Sequence, residues 1–92
     1  MSGIQLHDSP VIRNGFRLQY EAAQGMHVLL YPEGMVQLNT SATEILRLCD
    51  GTRTIEQIVR ELENAFQASG LTPEVMHFVD FAASRGWLHV SR

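Results

Sequence analysis

The sequence predicts an α+β fold in which a three-stranded antiparallel meander is followed by three helices. Over residues 16–38, short apolar segments are separated by turn residues, as is typical of strands. From residue 41 onward, apolar residues recur at the helical spacing of three and four. Because the strands precede the helices along the chain, we expect the helices on one face of the sheet, in a winged-helix-like arrangement.

The chain has the length of one small domain. Its 92 residues, 45% of them apolar, suffice for a single core and are too apolar for a disordered chain. Residues 7–10 and 14–15 have the composition of turns. We therefore expect residues 1–15 to form a flexible N-terminal arm and residues 16–92 to form the domain.

Three strands are predicted in succession. Residues 16–20 alternate apolar and polar side chains, and residues 26–31 are apolar on both faces, which suits the central strand. Pro32 has the φ of a second turn residue, and Gly34 is expected to take a positive φ on re-entering a strand. Residues 35–38 then form the third strand.

Capping boxes open the first two predicted helices. Ser41 with Glu44, and Thr54 with Gln57, can each exchange hydrogen bonds between side chain and backbone. The apolar stripes that follow are Ala42, Ile45, Leu46 and Cys49 in the first helix, and Ile55, Ile58, Val59, Leu62 and Phe66 in the second. Residues 50–51 and 69–70 are expected to end these helices.

Residues at both ends of the third helix predict where it begins and ends. Thr72 is the expected N-cap, Pro73 the first helical residue, and Gly86 the left-handed residue after the end. Residues 87–90 form an extended tail that can pack back on the domain.

The third strand and the third helix both present surface that lacks a partner. As the last strand of a meander, residues 35–38 leave N–H and C=O groups unpaired along one edge. The third helix has an apolar arc of roughly 220°, about twice what a surface helix requires. The arc consists of Val75, Met76, Phe78, Val79, Phe81, Ala82 and Ala83. We interpret the two surfaces as walls of a groove in which an extended peptide adds to the strand; alternatively, Trp87 and Leu88 or a second copy of the chain covers them.

The sequence offers no constellation for catalysis or metal binding. The four histidines, at positions 7, 27, 77 and 89, have no metal-ligand spacing, and no Cys-x-x-Cys motif occurs. The sole cysteine, Cys49, is predicted in the core beside Asp50, whose charge raises the pKa of a thiol. We expect no enzyme activity, no metal and no cofactor.

Charge and hydropathy argue against nucleic-acid and membrane partners. The net charge is −3, and all seven basic residues are scattered arginines. The second helix has one arginine against three carboxylates and the third has one against two, which repels a nucleic acid. No apolar run approaches the ~18 residues of a membrane span, and residues 1–5 do not resemble a signal peptide. With its single cysteine, we expect the protein to be cytoplasmic.

Several segments resemble the PqqD family of pyrroloquinoline quinone (PQQ) biosynthesis. The most specific is segment 27–39, with its Leu-Leu-Tyr-Pro-Glu-Gly run. The others are segments 17–21, 41–46 and 49–51, positions 58, 59 and 62, and segment 85–88. Together they cover nearly everything from Phe16 to Leu88.

The resemblance implies a non-catalytic peptide chaperone. Members of this family bind the ribosomal precursor peptide PqqA and present it to the radical SAM enzyme PqqE, which cross-links a Glu and a Tyr of the peptide. Related recognition domains, which occur fused to many peptide-modifying enzymes, hold the leader peptide as an added strand beside their third strand and against the third helix. Carried over to this chain, the peptide-binding residues are Met35, Val36, Gln37, Leu38, Val75, Met76, Phe78, Val79 and Ala82. The family pattern implies no catalytic residue.

Two alternatives use the same surfaces differently. A structural or regulatory homodimer would close them with a second copy of the chain. A carrier of the quinone product would hold a flat ring near Trp87 and Tyr31.

Overall fold

The computed structural model describes residues 3–91. Its elements are β1 (Ser9–Ile12), β2 (Arg17–Glu21), β3 (Met26–Tyr31), β4 (Gly34–Gln37), α1 (Thr40–Arg47), α2 (Ile55–Phe66), α3 (Thr72–Ser84) and β5 (Leu88–Ser91). The predicted α+β fold, with a three-stranded antiparallel sheet followed by three helices, is confirmed. Residues 1–2 of the predicted arm and residue 92 of the predicted domain lie outside the described residues.

The three-stranded sheet has the predicted order β2-β3-β4. Leu18, Leu29 and Val36 stand opposite one another across the three strands. This row faces the helices, because Leu29 is fully buried within the core that they share. The sheet therefore places β4 at an edge and turns one of its faces toward the helices.

The turn between β3 and β4 is tighter than predicted. Tyr31 pairs with Gly34, so Pro32 and Glu33 alone form the turn. Gly34 belongs to β4 and does not have a positive φ, so the prediction of a left-handed glycine there is wrong. A two-residue turn already reverses the chain, and pairing resumes at the next residue.

The N-terminal segment differs from the predicted arm. Ser9–Ile12 forms β1, which pairs antiparallel with β5 and sets Ser9 opposite Ser91. On its other side, the Ile12 N–H donates to the Cys49 carbonyl at 3.1 Å. The prediction missed this strand because its partner lies at the far end of the sequence, and four residues are too few to show a local period. The predicted extended tail is the strand β5.

The helix starts agree with prediction in one case of three. Thr54 and Gln57 form the capping box that begins α2. At α1 the cap is Asn39, whose Oδ1 accepts from the Ala42 N–H at 2.8 Å, and Ser41 lies inside the helix. The Glu44 carboxylate is engaged by Arg47, at 3.0 Å, instead of reaching back. At α3 the N-cap is Leu71, one residue before the predicted Thr72.

The end of α2 comes earlier than the predicted residues 69–70. The helix ends at Phe66, and Gln67 adopts a left-handed conformation with φ 51°. The Ala68 N–H donates to the Glu63 carbonyl at 2.9 Å, and the Glu63 carboxylate accepts from the Leu71 N–H at 3.0 Å. Glu63 therefore ties the loop between α2 and α3 to the helix that precedes it.

The core is formed by the helices and the inner face of the sheet. Its fully buried members include Leu29, Leu46, Ile55, Ile58 and Val79. The predicted stripes of α1 and α2 face it, except that Phe66 is exposed. Among the described residues, no helix has the length and apolar character needed to cross a membrane.

Cys49 is buried in this core, as predicted, and its Sγ lies 3.3 Å from the Ile45 carbonyl oxygen. Burial, and to a smaller extent the charge of Asp50, raises the pKa of the thiol from 9.0 to about 12. In this pH range the unfolded chain loses the proton while the folded protein retains it. Ionisation therefore favours the unfolded chain. The free energy of unfolding has its full value below pH 9 and falls as the pH rises toward 12.

We expect the free energy of unfolding to fall more steeply with pH in the wild type than in Cys49→Ala. Denaturant titrations at about pH 8 and about pH 10.5 measure the two slopes. The Ala variant is the reference, because its slope contains the contributions of all the other groups that titrate in this range. Equal slopes in the two proteins would contradict a buried, protonated thiol.

Gln67→Gly is expected to raise the free energy of unfolding by about 0.5–1 kcal/mol, because glycine adopts a positive φ without the penalty of a Cβ atom. Urea denaturation followed by circular dichroism measures the change. Gly86→Ala is the opposite control, since it places a Cβ at φ 81°, and it should destabilise the protein. A less stable Gln67→Gly variant would speak against the left-handed cap.

Candidate binding groove

One edge of β4 is open. Within residues 3–91, β4 pairs with β3 and with no other strand. The Leu38 N–H donates to the His27 carbonyl at 3.1 Å, directly beyond the paired residues of β4. Because inward and outward groups alternate along an antiparallel strand, Val36 also bonds to β3, whereas the N–H and C=O groups of Met35 and Gln37 point to the open edge.

A groove of about 510 Å³ lies between this edge and α3. Val36, Gln37 and Leu38 form its strand wall, and Phe78 and Phe81 belong to the helix wall. The other lining residues are Asn39, Ser41, Ala42, Ile45, Glu74, His77 and Trp87. A chain lying in the groove would therefore meet free backbone groups on one side and aromatic side chains on the other.

Trp87 is brought to the groove by the way α3 ends. The N–H groups of Gly86 and Trp87 donate to the carbonyls of Ala83 and Ala82, at 3.0 and 2.9 Å, with Gly86 left-handed at φ 81°. This is the Schellman arrangement, in which the residue after the glycine packs against the last turn of the helix. The Trp87 ring meets Phe81 edge-on, with centroids 5.5 Å apart. The predicted role of Gly86 is thereby confirmed.

The structure separates the predicted site residues into two groups. Val36, Gln37, Leu38 and Phe78 line the groove, and Met35 is exposed at the open edge. The remaining four do not line the groove: Val75, Val79 and Ala82 are fully buried in the core, and Met76 packs against it. The reason is that the centre of the apolar arc of α3 faces the core and only one flank faces β4. The peptide-binding role of all nine residues stays a prediction.

Several groove residues were not predicted from the sequence. Glu74 and His77 are polar, so an apolar criterion could not select them. Phe81 was recognised as part of the arc, but its flank was not assigned. The glycine at position 86 was the available signal, since a Schellman turn brings Trp87 back onto the last turn and so identifies the Phe81 flank as an apolar, partly exposed surface.

The groove carries little charge. Glu74 and His77 are the titratable groups among its described lining residues. The Arg85 guanidinium lies 4.9 Å from the centroid of the Phe81 ring, at the far end of the helix wall. Within residues 3–91, no group of three or more His, Cys, Asp or Glu side chains is arranged to hold a metal. What the groove offers a ligand is main-chain hydrogen bonding and apolar contact.

Proteins similar to this chain are known along almost its entire length. Residues 26–88 match the family model of coenzyme PQQ synthesis protein D (PqqD). The PqqA binding protein of Stutzerimonas stutzeri is 46% identical over 91 residues, which is 98% of this chain and 99% of that protein. The PqqA binding protein of Azotobacter vinelandii is 47% identical over the same shares.

A solved structure has the same fold. It is the solution NMR structure of the PqqD truncation of Methylobacterium extorquens PqqCD, described as a functional and stand-alone recognition element for ribosomally synthesized and post-translationally modified peptides. The TM-score is 0.80 at 27% sequence identity, and the match covers 96% of each chain. The family match over residues 26–88, together with the identity shared with these relatives, shows that the chain belongs to the PqqD family.

Proposed function

We propose that this protein binds the precursor peptide PqqA as an added strand on β4 and presents it to the radical SAM enzyme PqqE. The observation that carries the proposal is the open edge of β4 beside an apolar groove. Two relatives are named PqqA binding protein, and the M. extorquens PqqD truncation is a peptide recognition element, which supports a peptide as the ligand. In this proposal the protein positions the peptide and the chemistry takes place on PqqE.

The free-energy balance assigns peptide selection to the groove. Ordering six peptide residues costs ~6–12 kcal/mol of backbone entropy. About five strand hydrogen bonds return only ~0.5–1.5 kcal/mol each, so backbone pairing alone falls short of the ordering cost. Two or three apolar side chains in the groove add ~1.5–3 kcal/mol each. Affinity is therefore modest, and it depends on which side chains the peptide presents to Phe78, Phe81 and Trp87.

The state of the cysteine suits a reducing compartment. We place the complex in the cytoplasm, because the single cysteine of the chain is free and buried, as suits a reducing environment.

The two alternative functions use the groove differently. A second copy bound to β4 would compete with the peptide for the same edge. Light scattering before and after addition of the peptide measures the mass of the protein. A dimer whose mass does not change on addition of the peptide would contradict the proposal. In the quinone-carrier alternative, Tyr31 and Trp87 would share a site. The structure instead packs Tyr31 against Phe16, with centroids 5.5 Å apart, beside a different cavity from the one that Trp87 lines.

Gln37→Pro is expected to weaken peptide binding about tenfold, because it removes one outward N–H of β4 and leaves the bonds to β3 in place. Gln37→Ala is the matched control: it loses the same side chain, including its contact with Gln24, but keeps the N–H. Isothermal titration with synthetic PqqA measures both affinities.

The same pair of variants tests presentation. Cross-linking of PqqA by PqqE should be faster with the wild type or Gln37→Ala than with Gln37→Pro at concentrations below saturation. Equal binding by the Pro and Ala variants would rule out strand addition at this residue, and equal PqqE rates without any added protein would rule out presentation.

Phe81→Ala is expected to weaken binding fivefold to twentyfold, roughly the loss of 1–2 kcal/mol of apolar contact. Trp87 is the only tryptophan of the chain, so its fluorescence reports occupancy of the groove when a tryptophan-free PqqA variant is titrated. Leu6→Ala is the control, since Leu6 and Phe81 are both 39% exposed but Leu6 does not line the groove. An unchanged affinity in Phe81→Ala would place the peptide elsewhere.

A further inference from the structure

A second cavity lies beyond the end of the groove. It has a volume of about 280 Å³, is partly open to solvent, and is bordered by α1, the C-terminal part of α2, the loop that follows and the first turn of α3. Its apolar walls are Ile45, Leu62, Phe66, Leu71 and Val75. A cavity of this size and composition accepts one large apolar side chain.

The second cavity adjoins the groove. Ser41, Ile45 and Glu74 line both. β4 runs toward this junction, because Gln37 is followed by Leu38, Asn39 and then the first turn of α1. A peptide paired with the open edge of β4 would therefore reach the second cavity when it extends past Asn39.

Phe66 lines the cavity but does not belong to the buried core. The side chain is 55% exposed, although it occupies the last position of the apolar stripe of α2. The neighbouring loop is fixed by the bond from the Leu71 N–H to the Glu63 carboxylate, at 3.0 Å. The cavity is thus lined by a loop that this hydrogen bond fixes and by a phenyl ring whose exposed surface can contact a ligand.

The junction carries negative charge. Glu44 and Glu74 line the cavity. Glu44 is paired with Arg47 at 3.0 Å, whereas Glu74 makes no ion pair with any described residue. A basic group of a bound peptide would find its complement at Glu74, between the two cavities.

We infer that the second cavity is an additional subsite for the same peptide. It takes an apolar side chain from a part of the peptide outside the strand-added segment, and a basic residue next to that side chain faces Glu74. The inference rests on the proposed function, and it adds a recognition element that strand pairing does not supply. The peptide is therefore selected at two places, the aromatic groove and the cavity under Phe66.

The test compares Phe66→Ala with Tyr20→Ala. Tyr20 is 56% exposed, close to the exposure of Phe66, but it lies on β2 and lines neither cavity. Both variants and the wild type are titrated with synthetic full-length PqqA and with nested truncations from each end. Thermal unfolding of each variant confirms that the fold is retained. Glu74→Gln is titrated at low and at high salt.

We expect Phe66→Ala to bind full-length PqqA about fivefold to twentyfold more weakly than the wild type, and Tyr20→Ala to bind normally. Truncation from one end should weaken wild-type binding to the same level and abolish the effect of Phe66→Ala, as for two changes that remove one contact. Glu74→Gln should reduce the salt dependence of binding.

The remaining outcomes separate this inference from the proposed function. Normal binding of full-length PqqA by Phe66→Ala would overturn the second subsite and leave the groove proposal intact. An equal effect of Phe66→Ala on every truncated peptide would also overturn it, because the contact would then belong to the groove segment. Failure of PqqA to bind the wild type would overturn the proposed function and this inference together.

Discussion

The backbone groups along the outer edge of β4 impose the constraint around which the structure is arranged. Each N–H and C=O must be paired or hydrated, and within the described chain β4 is paired on one side only. Neither of the remaining strands takes this place, because β1 and β5 pair with each other, and the chain leaves the sheet at Asn39, which caps α1. Across from this edge lies α3, and the groove separates the two.

The helix that faces this edge serves the core and the groove with different flanks. Val75, Val79 and Ala82 are fully buried, so α3 is held rigidly by the same packing that stabilises the domain. Phe78 and Phe81 project from the adjoining flank toward β4. A wall that is fixed by the core changes little on binding, which lowers the entropic cost of ordering a ligand against it.

Much of this arrangement could be read from local sequence signals. The strand and helix periods, the Thr54 capping box and the left-handed role of Gly86 depend on residues a few positions apart, and all are confirmed. Pairings between distant segments could not be read in this way: β1 joins β5 across almost the whole chain. The cap of α1 was predicted at Ser41 and lies at Asn39; both residue types are good caps, and tertiary geometry selects between them.

The pairing of β1 with β5 has a consequence for how this domain can be joined to others. Ser9 and Ser91 are direct partners in the ladder, so the first and the last strand lie side by side, roughly 5 Å apart between these Cα atoms. On the N-terminal side, residues 3–8 continue onto the start of α2, where the Leu6 carbonyl accepts from the Glu56 N–H at 2.9 Å. A fusion partner joined after β5 would therefore leave the ladder undisturbed, whereas one that replaced residues 3–8 would remove hydrogen bonds to α2.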